Sequence, residues 1–335
     1  MVSILFIAVI GGISHFDFSS SLPSHFPSPI YDFSNNPLSP EKIELGRALF
    51  YDPILSADNS ISCASCHSPY NGFAHTDHSL SHGINDSIGR RNAPALFNLA
   101  WATSFNWDGA VNHLDMQALA PIEDHKEMNM IFAELISKLN ESSLYPNLYF
   151  NAFEDSLITG ENSLKALAAF QLTLISQNSK YDQKIKGEVD FTEIEIRGEQ
   201  LFLKYCNTCH TAPLFTNYSF QNNGLTIDQS LHDYGRLEVT GSSGDSLKFK
   251  VPSLRNLSYT YPYMHDGRFS TLREILNHYS QGIQTSVTSP TNLKEPLELN
   301  DDELTELTAF LLTLNDPDFI SDPSNKFPRN TLLKD

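Results

Sequence analysis

All four cysteines of this chain lie in two copies of the pattern Cys-x-x-Cys-His, one spanning residues 63–67 and the other residues 206–210. This spacing is typical of covalent haem c attachment, in which two thiols bind the haem vinyl groups and the adjacent histidine ligates the iron. A zinc site or a redox dithiol is the alternative for a single copy. Two copies with no cysteine left over predict two haem c groups, held by Cys63, Cys66 and His67 and by Cys206, Cys209 and His210.

The composition limits the class of partner. The chain has 335 residues and 40% hydrophobic residues, which is enough for two domains with their own cores. Its formal net charge of −18 argues against nucleic acid, because phosphate binding needs a basic surface. A basic redox protein is the natural electrostatic match.

The first 40 residues resemble an export segment followed by a linker. Val2 to Ile13 form an apolar run that is too short to span a bilayer and lacks the basic start and clear cleavage site of a signal peptide. Asp17 to Pro40 are rich in Ser and Pro, as linkers are. Bacteria complete haem c attachment outside the cytoplasm, so we expect a periplasmic protein.

Four short segments recur in the same order in the two halves of the chain, which indicates an internal duplication. The matched pairs are Gly46–Phe50 with Gly198–Phe202, Pro94–Leu99 with Pro252–Leu257, Trp107–Gly109 with His265–Gly267, and Leu167–Leu174 with Leu307–Leu314. The last pair has apolar residues at helical spacing without Gly or Pro, and alternating strand patterns are scarce. The prediction is a mainly α fold of two cytochrome c-like haem domains, residues 41–187 and 188–335. Residues 217–250 form a long polar loop, which is either functional or poorly ordered.

Tyr279 is the predicted sixth ligand of the second haem. Thr271 and Glu274 form a capping box that starts a helix, and Tyr279 shares one face of that helix with apolar side chains, Leu272, Ile275 and Leu276. A tyrosine that only packs in the core is the alternative. Met264 and His265, in the preceding loop, are rival ligands.

The duplication also predicts that the first haem lacks such a ligand. Thirteen residues separate Asp266 from Tyr279, and thirteen residues after Asp108 stands Pro121, whose side chain cannot bind iron. A vacant iron position is what peroxide or oxygen chemistry needs. The first haem is therefore the predicted catalytic one.

Between Leu45 and Leu314 the chain resembles bacterial dihaem cytochrome c peroxidases, and among them the MauG-like branch. The resemblance rests on both haem motifs and on the segments Arg91–Pro94, Trp107–Gly109, Glu127–Asn129 and Tyr261–Gly267. It implies that Trp107 carries electrons between the haems, although an aromatic residue in such a position usually serves packing alone. It also implies that Gln117 and Glu127 lie over the first haem. There Glu127 would move a proton during O–O cleavage as general acid/base, where a lone Glu is otherwise a solvated charge.

The resemblance further implies a calcium ion between the domains, bound through Asn92, Thr260 and Pro262. Such an amide and carbonyl ligand set suits a hard cation. Dimerisation is common in the family, so a homodimer is also compatible with it.

The chain departs from the peroxidases of the family at two positions. They place methionine where this chain has Tyr279, whereas the MauG-like branch has tyrosine and can store two oxidising equivalents across both haems. A phenolate oxygen should lower the potential that methionine raises. Peroxidases often also carry a displaceable distal histidine; His82 is the nearest match, His75 and His78 are substitutes, and a surface-loop role for all three is equally consistent with the sequence.

Three functions follow. The leading one is an oxidoreductase that reduces hydrogen peroxide to water at the first haem, with electrons delivered through the second haem from a small c-type cytochrome or copper protein. The first alternative is a MauG-like enzyme that uses a high-valent bis-haem state to oxidise residues of a partner protein. The second is a non-enzymatic dihaem electron carrier, against which Pro121 and Glu127 argue.

Overall fold

The structure is a computed structural model that describes residues 18–333, so the apolar run Val2–Ile13 lies outside the described residues. Within that range the protein is mainly helical, with one two-stranded sheet. No helix between residues 18 and 333 is long and apolar enough to cross a membrane. The predicted mainly α fold is confirmed.

The first half contains eight α-helices within the described range. They are α1 (Pro40–Tyr51), α2 (Cys63–Cys66), α3 (Leu114–Gln117), α4 (Leu119–Glu123), α5 (Phe132–Glu141), α6 (Tyr145–Phe153), α7 (Gly160–Leu172) and α8 (Lys180–Ile185). Short 3-10 helices lie at Phe18–Ser21, Pro53–Leu55, Pro69–Asn71, Ile84–Asp86 and Leu99–Trp101.

The second half continues with α9 (Glu193–Tyr205), α10 (Leu237–Thr240), α11 (Leu272–Asn277), α12 (Asp301–Leu312), α13 (Pro317–Ser321) and α14 (Arg329–Leu332). A π-helical turn, His278–Gly282, follows α11 directly. Strands β1 (Phe220–Gln221) and β2 (Phe249–Lys250) pair antiparallel, with Phe220 opposite Lys250. Further 3-10 helices lie at Ser243–Asp245, Thr291–Leu293 and Pro323–Asn325.

Each half is built around one crossing of two long helices, α1 with α7 and α9 with α12. Glycine makes both crossings close. A Cβ on Gly46 would overlap the carbonyl of Ala166, and a Cβ on Gly198 would overlap the carbonyl of Glu306. Side-chain caps start these helices; for example, Asn300 and Glu303 form a capping box on α12. Two of the four duplicated segments therefore belong to the helices that pair within each half.

Each crossing carries its own hydrophobic core. Phe50 and Phe170 meet edge to face in the first core, at 5.2 Å between ring centroids. Phe202 and Phe310 meet in the second, at 4.9 Å. A third cluster contains Phe26, Trp101 and Leu214, and so joins the Ser/Pro-rich segment to both halves. Burial of these large aromatic side chains is a principal source of stability.

Residues 217–250 lie against the first half. Asp233 in this segment forms a bidentate ion pair with Arg91, at 2.6 and 2.8 Å. Arg236 donates to the carbonyl oxygen of Asp108 at 3.0 Å. These contacts hold the loop against the first half, and its functional role stays a prediction.

Candidate haem sites and the residues between them

The second haem motif opens into a cavity of about 270 Å³. Cys206, Cys209 and His210 line it together with a largely apolar wall. The Nδ1–H of His210 donates to the carbonyl oxygens of Phe215 and Pro252, each at 3.2 Å. Because this fixes the ring tautomer, Nε2 is left as the nitrogen that can ligate iron.

Tyr279 lines the same cavity, as the helical spacing predicts. Its neighbours on that face, Leu272, Ile275 and Leu276, line it too. Helix α11 begins at Leu272 behind the Thr271 cap, and the chain then widens into the π-helical turn that contains Tyr279. Burial raises the pKa of Tyr279, and a hydrogen bond with the Asn223 side chain opposes that rise. The ligand role of Tyr279 stays a prediction.

The two rival ligands also border this cavity. Met264 has a positive φ of 74°, and its Sδ accepts a hydrogen bond from Asn223 Nδ2 at 3.3 Å. The ring of His265 stacks on Phe249 with 3.7 Å between centroids. Asn223 therefore contacts Met264 and affects the pKa of Tyr279, a link that the sequence did not reveal.

The first haem motif repeats the second in its proximal geometry. The Nδ1–H of His67 donates to the carbonyl oxygen of Phe73 at 2.8 Å, which leaves Nε2 free for iron. Burial lowers the pKa of His67 to about 4, so the imidazole is neutral at physiological pH, as an iron ligand must be. The four cysteines form no disulfide with one another. Both motifs thus fit haem c attachment in donor set, tautomer and exposure.

Glu127 lies beside the first haem motif. Its charge raises the thiol pKa of both Cys63 and Cys66, a smaller effect than their burial. Gly83 packs so closely that a Cβ there would overlap the backbone of residues 126–127, and Ile84 N donates to the Glu127 carbonyl at 2.7 Å. Burial, with a smaller contribution from Asp124, raises the pKa of Glu127 to about 7. The side chain is therefore about half-protonated near neutral pH.

Gln117 ends α3, and its Nε2 donates to Asn106 Oδ1 at 3.4 Å. Pro121 lies in α4, and its carbonyl oxygen accepts from Met128 N at 3.2 Å. Met130 N donates to the carbonyl oxygen of Ile122 at 2.8 Å, so two peptide nitrogens anchor the loop of residues 124–130 to this short helix. Asn106, the hydrogen-bond partner of Gln117, is the residue before Trp107 and lines the cavity of the second motif. Gln117 is thus linked through Asn106 to the Trp107 segment.

His75, His78 and His82 form a row beside Cys66. The rings of His78 and His82 stack at 4.1 Å, and those of His75 and His78 meet at 5.4 Å. His82 pairs with Asp86 at 2.7 Å, and its carbonyl oxygen lies 3.5 Å from Cys66 Sγ. The three histidines therefore lie near the first haem motif, and their role as iron ligands stays a prediction.

Trp107 lies where the two halves meet. Its Nε1 donates to the carbonyl oxygen of Asn92 at 2.8 Å, and its own carbonyl oxygen accepts from Lys250 N at 2.7 Å. It lines the cavity of the second motif, although it belongs to the first half. This placement suits the predicted bridging role. The sequence gives no sign of the contacts of Lys250 with Trp107 and of Asp233 with Arg91. Pairing over such sequence distances leaves no local pattern.

The three predicted calcium residues, Asn92, Thr260 and Pro262, border the same cavity near Trp107. Asn92 Nδ2 donates to the carbonyl oxygen of Ser79 at 3.0 Å, which leaves the amide oxygen as the available ligand atom. Calcium binding itself stays a prediction.

Two helical domains, each around a Cys-x-x-Cys-His motif with a preset histidine, define a dihaem c-type protein. Comparisons with known proteins show to which family it belongs. The family model described as di-haem cytochrome c peroxidase matches residues 40–190, and the model described as cytochrome c matches residues 196–315.

Similar proteins carry two different names. The chain is 36% identical over 304 residues to the methylamine utilization protein MauG of Methylorubrum extorquens, covering 87% of this chain and 82% of that one. It is 33% identical to the cytochrome c551 peroxidase of Nitrosomonas europaea, covering 92% and 94%. A crystal structure of a MauG-like protein associated with microbial copper homeostasis superimposes with a TM-score of 0.82 at 31% identity, covering 92% and 98%.

The chain belongs to the di-haem cytochrome c peroxidase and MauG family. It is therefore an oxidoreductase, and the family implies two haem c groups.

Proposed function

We propose that this protein reduces hydrogen peroxide to water at the haem attached through Cys63 and Cys66. The observation that carries the proposal is the environment of Glu127. This carboxyl group is largely buried and lies next to those cysteines, and burial raises the pKa of Glu127 to about 7. A group that must both accept and deliver a proton works best when its pKa lies near the operating pH. Pro121, which offers no ligand at the position equivalent to Tyr279, supports the same site.

The residues then divide the reaction between them. When bound, the haem at His67 supplies the iron at which peroxide is reduced. Glu127 takes a proton from one peroxide oxygen and returns it to the other, and two further protons and two electrons complete the formation of two water molecules. Gln117 reaches toward Asn106 and Trp107, and we assign it a positioning role over the first haem.

Trp107 is the proposed electron bridge. It lines the cavity of the second motif, although it belongs to the first half of the chain. Electrons would enter at the second haem, held by His210 and Tyr279 in the domain of residues 188–335, and pass to the domain of residues 41–187. The net charge of −18 favours a basic donor, such as a small c-type cytochrome or copper protein.

Tyr279 favours a second candidate function. A phenolate oxygen on the second haem stabilises higher oxidation states than methionine does, and relatives named MauG are 36% and 35% identical to the chain. In this candidate the two haems together hold two oxidising equivalents and remove electrons from tyrosine or tryptophan side chains of a partner protein.

Three further properties belong to the proposal. The protein works in the periplasm, since bacteria attach haem c outside the cytoplasm. A calcium ion bound through Asn92, Thr260 and Pro262 would bridge segments of the two halves. A homodimer is the assembly we would test first.

The deciding experiment records optical and EPR spectra of the purified dihaem protein before and after one equivalent of hydrogen peroxide. The proposal expects one high-spin and one low-spin haem, both changed by peroxide, and turnover with a reduced donor. A long-lived near-infrared band without donor turnover would select the MauG-like function. Two low-spin haems that ignore peroxide in the oxidised and half-reduced states would leave only an electron carrier.

A further inference from the structure

The cavity of the second motif contains one unusual charge. Among the described residues that line it, Lys250 is the only Lys or Arg, and none is Asp or Glu. The Lys250 ammonium donates to the carbonyl oxygen of Ser104 at 2.8 Å. An ammonium group has three donors, so this contact satisfies only part of its capacity.

Asp108, the carboxylate whose charge acts on Lys250, does not neutralise this cation by direct contact. Asp108 Oδ2 binds Arg91 Nη1 at 2.5 Å, and Asp108 Oδ1 accepts from Ala110 N at 3.0 Å. Burial accordingly lowers the pKa of Lys250 to about 8, and the charge of Asp108 opposes that change only partly. A buried charge without an ionic partner is costly, so the site calls for an anion from outside the chain.

Haem c brings two carboxylates of its own, the propionates, into a cavity whose described lining offers a single cationic side chain. We propose that Lys250 binds a propionate of the haem attached through Cys206 and Cys209. The backbone of Lys250 donates to Trp107 and its side chain to Ser104, so this contact ties the second haem to the bridging segment of the first half. The inference rests on haem attachment and not on the peroxide reaction.

Removing this cation should make the second haem harder to reduce. A propionate without its counter-ion leaves a negative charge near the iron, which stabilises the ferric state. In Lys250→Met we expect the one-electron reduction constant of the low-spin haem to fall about tenfold, a shift of ~59 mV to lower potential. Lys250→Arg should stay close to wild type, and Lys250→Gln should fall between them.

The measurement is a spectroelectrochemical titration of both haems in the holoprotein, with haem content from the pyridine haemochrome and the propionate bending band from resonance Raman spectra. Lys248→Met is the matched control: Lys248 lies two residues away, pairs with Asp245 at 3.4 Å, and does not line the cavity. It removes the same charge without touching the haem.

A lower potential and a shifted propionate band in Lys250→Met, absent in Lys248→Met, support the proposal. Wild-type values in Lys250→Met, or the same shift in both variants, overturn it. If Lys250→Met does not acquire its second haem, Lys250→Gln decides in the same way. If the wild-type protein does not react with peroxide, the proposed function is wrong, but the comparison of Lys250→Met with Lys248→Met still tests the propionate contact.

Discussion

The two halves of the molecule share their scaffold down to single residues. Phe73 and Phe215 both have positive φ, 58° and 54°, and both present the carbonyl that fixes the haem-motif histidine. Asn98 and Asn256 likewise have positive φ, and each donates its backbone N–H to the leucine that follows the long helix of its half, Leu174 and Leu314. The repeat therefore preserves the backbone contacts that orient the histidine of each haem motif.

The two halves differ in the segment that follows each Asp-Gly turn. Gly109 and Gly267 occupy matching left-handed turns, with φ of 72° and 65°. After Gly109 the chain forms the short helices α3 and α4 and reaches Glu127, whereas after Gly267 it forms α11 and the turn that carries Tyr279. In the proposed function, Glu127 in the first copy carries a proton and Tyr279 in the second copy ligates iron. On that proposal, duplication supplied two haem scaffolds and divergence of this segment separated their chemistry.

The largest expected effect is on Glu127. Replacing Glu127 with Gln keeps the size and removes the titratable proton, so the rate of reaction with peroxide should fall by about 10²–10⁴-fold. Stopped-flow absorption of the holoprotein measures this rate. Glu123→Gln, an exposed change in α4, is the control and should react like wild type. Equal rates in all three proteins would contradict the role of Glu127.

The same residue predicts a pH dependence. The carboxylate must take the first proton, and its pKa is raised to about 7, so the active form becomes more abundant as pH rises. Between pH 6 and pH 8 the wild-type rate should rise about tenfold, from mostly protonated to mostly ionised Glu127. The Glu127→Gln profile should lack this step; a step that persists in the variant would assign it to another group.

The counterpart in the second half is Tyr279. Tyr279→Met should raise the midpoint potential of the low-spin haem by on the order of 100 mV, a modest part of the ~0.8 V that axial ligands span. Met264→Leu, in the same cavity, is the control and should change it little. The reverse pattern would identify Met264 as the ligand.

The shared scaffold is tested by its two glycines. Gly46→Ala and Gly198→Ala each force a methyl group into the backbone of the facing helix, so each should lower the free energy of unfolding by about 1–3 kcal/mol. Chemical denaturation of the holoprotein measures this. Gly244→Ala, where an added Cβ would meet only Ser242 Oγ at 3.6 Å, should be neutral. A large loss in one half only would show that the crossings are not equivalent.

The sequence predicted those features of the fold and the site that neighbouring residues determine. The Cys-x-x-Cys-His spacing, the capping box at Thr271 and the helical face that ends at Tyr279 all require only neighbouring residues, and the structure contains the helix as expected. The contacts of Lys250 with Ser104 and Trp107 join residues more than a hundred positions apart. No periodicity encodes such pairs, because tertiary packing of a long loop decides them.

The junction between the halves gives the last prediction. Trp107 is held by hydrogen bonds to Asn92 on one side and Lys250 on the other, so Trp107→Phe should leave both haems attached. It replaces an indole with a phenyl ring that is much harder to oxidise, and donor-driven turnover should fall at least about tenfold, ~1.4 kcal/mol in the barrier. Trp101→Phe is the matched control, since Trp101 is buried in the third cluster and donates to Pro27. It should lose stability but keep turnover. If Trp107→Phe turned over like wild type while Trp101→Phe did not, the electron path would run through the other tryptophan, and the position of Trp107 at the junction would serve packing alone.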